Sequence, residues 1–250
     1  MSSPRQAELA DSLAAVQARL DRAAAAAGRD AGEIELLTVT KFFPASDVIL
    51  LTKLGCTAFG ESREPEASNK VAEVAALLSG ELLAPPIRWH MVGRIQRKKA
   101  RTVAGWAYAA HSVDSDALLG ALGRAAVTAL EDGRRDARLR VYVQLSLDGD
   151  PARGGVDISR TDLVDELCAL ADATDGLDFV GLMAVPPLGV DADEAFARTE
   201  AEQHRVQGLY QQRLGLSAGM SADLETAVKH GSTCVRVGTA VLGNRPLTSP

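Results

Sequence analysis

Lys41 closes a run of aliphatic and β-branched residues, Leu36-Leu37-Thr38-Val39-Thr40, and is followed by Phe42-Phe43-Pro44. A lysine amine attacks aldehydes only when neutral, and a partly dry position at a strand end favours the neutral form. Placed there, Lys41 could form a Schiff base with a sugar aldehyde or with pyridoxal 5′-phosphate (PLP). The plainer alternative is a solvated lysine in a loop. Two later segments have the composition of a phosphate cradle. Ser217-Ala218-Gly219-Met220-Ser221 precedes a helical pattern, and Arg236 runs directly into Val237-Gly238-Thr239. Small residues let backbone N–H groups approach a dianion, and a helix start supplies aligned N–H groups. Arg236 lies within a strand-like run. It either pairs with a carboxylate or donates to a pyridine nitrogen, where an arginine keeps that nitrogen unprotonated and weakens the ring as an electron sink.

Other reactive side chains have simpler readings. His90 follows a tryptophan inside a strand and reads as a buried, hydrogen-bonded or pocket-wall histidine rather than a general base. Glu61 orients a pocket group or pairs with a lysine. Met183 and Met220 fill gaps in the core. His111, His204 and His230 share no metal-ligand spacing, so no metal is expected. Cys56, Cys168 and Cys234 are widely spaced and form no CxxC pair, which argues against zinc and disulfide frameworks and for a reducing compartment.

The elements that must position these residues alternate. Leu9, Leu13, Val16 and Leu20 recur at helical spacing in residues 4–28, with Gly28 as the stop. Strands are then expected at 35–41, 57–62, 87–93, 107–113, 139–145, 177–185, 216–220 and 233–242. Helices are expected at 45–55, 63–78, 96–106, 116–130, 161–173, 192–213 and 222–230, with stop or entry signals at Ser79-Gly80 and Pro85-Pro86. Eight strands joined through helices imply parallel pairing and closure into a single (β/α)8 TIM barrel with an extra N-terminal helix, one domain over residues 1–250. An open doubly wound sheet would place a glycine-rich loop after the first strand, where Thr-Lys-Phe-Phe-Pro stands instead. In a barrel the C-terminal ends of the strands carry the site, and the first and last strands are neighbours. Lys41 would then face a phosphate cradle in the last two βα loops.

Bulk properties narrow the class of partner. The chain has 250 residues, 46% of them hydrophobic and only 4% aromatic, which suits an aliphatic core under parallel strands. A net charge of −6 argues against nucleic acid, and the short basic run 94–101 reads as a solvated helix start. Residues 1–22 lack the apolar core of a signal peptide, and no stretch approaches the roughly 18 apolar residues of a membrane span. A cytoplasmic protein without membrane or nucleic-acid partners is expected.

Six segments taken together carry a more specific signal: LLTVTK (36–41), FGES (59–62), WHMVGRIQRKK (89–99), GLMAV (181–185), LSAGMSADLETAV (216–228) and GSTCVRVGTAVLG (231–243). In their order the chain resembles the pyridoxal phosphate homeostasis protein family, whose fold resembles the barrel domain of alanine racemase. The resemblance implies that Lys41 bears PLP, that Ser217, Gly238 and Thr239 lie near its phosphate, and that Arg236 lies near the pyridine nitrogen. It implies PLP supply and homeostasis rather than rapid turnover, with no catalytic residue and with PLP-dependent apo-enzymes as recipients. The chain departs from the family pattern at Ser62 and Lys98, where asparagines are usual, and at Ala218, where methionine is frequent. A racemase or decarboxylase of the same fold is the main alternative, and an aldolase-like barrel the next. Racemisation would need a base from a partner's second domain. Such a domain is not expected after Gly243, so a monomer is expected too.

Overall fold

The computed structural model describes residues 3–79 and 86–245. The expected signals at Gly80 and Pro85 lie outside them. Helix α1 (Pro4–Ala26) is capped by Ser3, whose side chain accepts from Gln6 N, and Pro4 takes the first turn, where its missing N–H costs nothing. Leu9, Val16 and Leu20 form its buried face. Strands and helices then alternate: β1 (Glu35–Val39), α2 (Ala45–Lys53), β2 (Ala58–Glu61), α3 (Glu66–Leu78), β3 (Arg88–Met91), α4 (Ala100–Trp106), β4 (Ala109–Val113), α5 (Asp116–Glu131) and β5 (Leu139–Ser146). The second half continues with β6 (Val156–Asp157), α6 (Thr161–Ala173), β7 (Leu177–Ala184), α7 (Ala192–Gln207), β8 (Gly215–Ser217), α8 (Leu224–Lys229), β9 (Cys234–Val237) and α9 (Thr239–Leu242).

Every strand pair is parallel. The order β4-β3-β2-β1-β9-β8-β7-β5 closes through an additional β4–β5 pairing, giving the expected eight-stranded barrel. Strand β6 is a two-residue addition beside the end of β5. Closure sets the first strand against the last, with Glu35 opposite Cys234 and Thr38 opposite Val237. Aliphatic side chains fill the layer between sheet and helices in two large clusters. One centres on β4, β5, β7 and α5, and the other on α1, β1, α2 and β9.

Beyond shifts of a few residues at other element ends, two expected elements differ from those observed. The run expected as one strand from 233 to 242 is a strand only over Cys234–Val237. Its second half is α9, because Val241 N and Leu242 N both donate to Gly238 O. The long helix expected to reach residue 213 stops at Gln207, and the side chain of Gln207 then bonds Tyr210 O, Gln212 O and Leu214 N to shape the following turn.

Candidate functional site at the barrel mouth

Strand β1 ends at Val39, and Thr40 to Phe43 form a turn closed by Phe43 N donating to Thr40 O at 3.0 Å. Phe42 sits at φ 72°, a left-handed conformation that costs a residue with a Cβ about 1–3 kcal/mol. This turn swings Lys41 outward. Its side chain is exposed, with Nζ 5.8 Å from the centre of the Phe42 ring. The partly dry setting expected for this amine is therefore not supplied by the surrounding side chains.

The turn is anchored from below. Glu61, at the end of β2 and 2% exposed, accepts on one oxygen from Lys70 Nζ at 2.6 Å and from Thr40 Oγ1 at 2.7 Å. Lys70 Nζ also donates to Thr40 O at 2.9 Å. Burial pushes the Glu61 carboxyl up from its ordinary value, against the opposing pull of Lys70. Of the two readings left open for Glu61, lysine pairing is the one the geometry shows. The pair fixes the residue immediately before Lys41.

Across the β1–β9 seam lies the second part of the site. Gly238 follows β9, and a Cβ there would stand 3.2 Å from Val39 O, so two strand ends approach closely at this point. Thr239 opens α9, where its N–H has no acceptor within the helix. The loop after β8 comes alongside: Ser221 Oγ accepts from Ala240 N at 3.2 Å. Gly219 in that loop has φ 91°, and a Cβ on it would lie 2.5 Å from Ala227 Cβ. Only glycine lets this loop fold down onto α8.

Ser217 and Arg236 lie deeper. Ser217 has no exposed surface, and its hydroxyl accepts from Arg236 Nη1 at 2.5 Å while contacting His111 Nδ1 at 2.8 Å. Arg236 donates from Nη2 to Ala184 O at 2.9 Å, and burial lowers its pKa from the usual value. The structure thus sets Lys41, Gly238 and Thr239 around one rim, with Arg236 in the floor and Ser217 beneath it. Ser221, in the same motif as Ser217, is the serine at the rim. The geometry also adds Thr40, Lys70 and His111. His111 lies 106 residues from Ser217, and Lys70 lies 9 residues from Glu61 and 30 from Thr40, so no short motif marks either. Among the described residues no group of three or more His, Cys, Asp or Glu could hold a metal ion. No helix there is long and apolar enough to cross a membrane.

The closed parallel barrel is an architecture shared with known proteins. The model of the alanine racemase N-terminal domain matches residues 12–246, and the chain belongs to that family. Within it, the chain is 58% identical over 98% of its length, and 96% of the relative's, to the pyridoxal phosphate homeostasis protein of Mycobacterium tuberculosis. Among solved structures it resembles PipY of Synechococcus elongatus, with 33% identity and a TM-score of 0.77 for the form without PLP. The form with PLP bound gives 29% identity and a TM-score of 0.74; each form is matched over 94% of this chain and 100% of PipY. Alanine racemase of Corynebacterium glutamicum shares the fold, at 16% identity and a TM-score of 0.61, with 94% of this chain matching 60% of the racemase.

Proposed function

We propose that this protein binds PLP through a Schiff base on Lys41 and serves intracellular PLP homeostasis and supply. The observation that carries the reading is the juxtaposition across the β1–β9 seam of a free-standing amine and a rim of small residues, Gly238, Thr239 and Ser221. The PLP-bound PipY structure and the homeostasis proteins among its relatives support it. The phosphate would lie against the backbone at Gly238 and Thr239 and the Ser221 hydroxyl, groups suited to a dianion. Ser217, first expected beside the phosphate, would hold Arg236 in place instead. Arg236 spends two N–H groups on Ser217 and Ala184 and keeps the remainder of its five for the cofactor's pyridine nitrogen. Bound PLP would supply an electrophilic aldehyde and a conjugated ring.

We read the protein as a carrier rather than an enzyme. Rapid amino-acid chemistry needs an acid/base pair flanking the cofactor. Tyr108 and Tyr142 lie in the opposite half of the barrel, and Tyr210 lies in the turn after α7. Release of PLP to PLP-dependent apo-enzymes fits such a carrier. Borohydride reduction of the PLP-loaded protein followed by peptide mapping should find the pyridoxyl group on Lys41, and Lys41→Ala should stay folded while losing the visible absorbance of the linkage. A label found only on other lysines overturns the assignment. Turnover of a common amino acid near the enzymatic median, on the order of 10 per second, would overturn the carrier reading.

A further inference from the structure

A cavity of about 470 Å³ opens at the end of the barrel away from Lys41, where the strands begin. That volume lies within the range of small-molecule sites. Its wall carries Glu35, Arg88, Tyr108, Arg140, Tyr142 and the ring of His90. Arg88 donates to Glu35 Oε1 at 2.7 Å and is balanced by it, as Arg213 on the rim is balanced by Glu33 at 3.0 Å. Arg140 is held more loosely, and its carboxylate partner, Asp178, is not part of the cavity wall. Arg140 donates from Nη1 to the Tyr108 hydroxyl, stacks 5.2 Å from that ring, and approaches Asp178 no closer than 3.9 Å. The cavity wall therefore carries three guanidinium groups, of Arg88, Arg140 and Arg213, against two carboxylates, of Glu33 and Glu35, beside a Tyr142 hydroxyl with no hydrogen bond among the described residues.

His90 shows what such a cavity would accept. It is 1% exposed, and its Nε2 is the one fully buried side-chain polar atom without a hydrogen-bond partner among the described residues. The nearest carboxylate oxygen, on Glu35, is 3.8 Å away, too far for a hydrogen bond. The direction of the missing bond follows from the rest of the chain of contacts. Arg236 can only donate, so Ser217 Oγ accepts from it and must place its own proton elsewhere. The acceptor in reach is His111 Nδ1; the neighbouring Cys234 sulfur is a weak acceptor. His111 then carries its proton on Nε2 and donates it to His90 Nδ1 at 2.9 Å. His90 in turn carries its proton on Nε2, pointing at the cavity. Burial holds both rings below the ordinary histidine range, so each carries a single proton at neutral pH.

We infer that this lower mouth is a binding site for a small oxyanion, a carboxylate or phosphate group that accepts from His90 Nε2–H and lies against the Arg140 guanidinium. The inference does not depend on the reading of Lys41, because the cavity lies at the opposite end of the barrel. It is tested on the intact protein by ¹⁵N-histidine NMR with inorganic phosphate and acetate as probes. His90 Nε2 should be pyrrole-type in the free protein. A pyridine-type nitrogen there would overturn the inference by itself, without any variant. One or both probes should shift the His90 resonance saturably while leaving exposed His204 in place. Arg140→Gln should weaken that response at least tenfold, whereas Gly238→Val, at the upper rim, should leave it intact. If neither probe shifts His90, or if Arg140→Gln responds like the parent protein, the cavity holds water only and the inference fails.

Discussion

Ser217→Ala separates two roles for one hydroxyl. If Ser217 joins Arg236 to His111, its removal is felt in the protein without any ligand. The side chain has no exposed surface, and its oxygen is the shared partner of Arg236 Nη1 at 2.5 Å and His111 Nδ1 at 2.8 Å. The void left is a single hydroxyl, smaller than a water molecule needs, so both groups would face a methyl group. A lost hydrogen bond to a charged group costs about 1.5–3 kcal/mol, and one between neutral groups about 0.5–1.5 kcal/mol. Partial relaxation of the floor offsets some of this, leaving an expected loss of about 2–4 kcal/mol. In a domain of this size each kcal/mol moves Tm by about 2–4 °C, so a fall near 8 °C is expected. Urea unfolding of the PLP-free protein should show a lower midpoint at an unchanged m value. If the free protein were as stable as the parent to within about 0.5 kcal/mol while PLP affinity fell, Ser217 would be a phosphate contact and the tethering argument would be refuted.

Three further outcomes are expected. Burial depresses His90 from 6.5 to about 4 and lowers His111 as well, whereas both return to ordinary values on unfolding. Their contribution is intact above pH 6.5 and is lost as pH falls toward 4, at up to about 1.4 kcal/mol per pH unit for each ring; a urea midpoint that is flat between pH 7 and 5 would contradict this. Gly238→Val places side-chain carbon 3.2 Å from Val39 O and should weaken PLP binding at least tenfold by spectroscopic titration while the circular dichroism spectrum is preserved; unchanged affinity would remove Gly238 from the cradle. Leu20→Ala, at a site 1% exposed on α1, should cost about 2–5 kcal/mol by urea unfolding, and a loss under 1 kcal/mol would mean that α1 is peripheral to the core.

The repeating unit of this fold is written locally. Gly28 and Gly55 each take a positive φ just past a helix, and the β-branched runs before Lys41 and around Val141 lie in strands. Alternation of such units implies a parallel barrel, and the structure closes one. What escapes a local reading is anything that depends on contacts across the barrel. Val237-Gly238-Thr239-Ala240-Val241 has strand-like content, yet α9 forms because Gly238 O collects two helical bonds at the seam. Ser217 and Ser221 stand in one short motif, and the family resemblance marks only Ser217. They differ because one ends a strand facing the interior and the other lies in the loop above it. The line from His90 through His111 and Ser217 to Arg236 draws on four strands, and no spacing in the chain connects them.

The pairing of β1 with β9 also has a consequence for the order in which the protein is made. Glu35 and Cys234, on facing strands, are 199 residues apart in the chain. Helix α1 is committed to the same late segment: Arg5 bonds Leu242 O, and Arg19 bonds Glu225 and Ser221 O. During synthesis from the N-terminus, Lys41 therefore emerges long before the residues across the seam from it exist. Contacts of such sequence separation are slow to form because loop closure must come first. On the proposed reading of Lys41, a nascent chain that stops short of the rim would carry the amine alone, so stable capture of a phosphate-bearing ligand would await synthesis of the residues across the seam. Stalled chains ending before residue 217 should fail to retain PLP under conditions in which the released protein does.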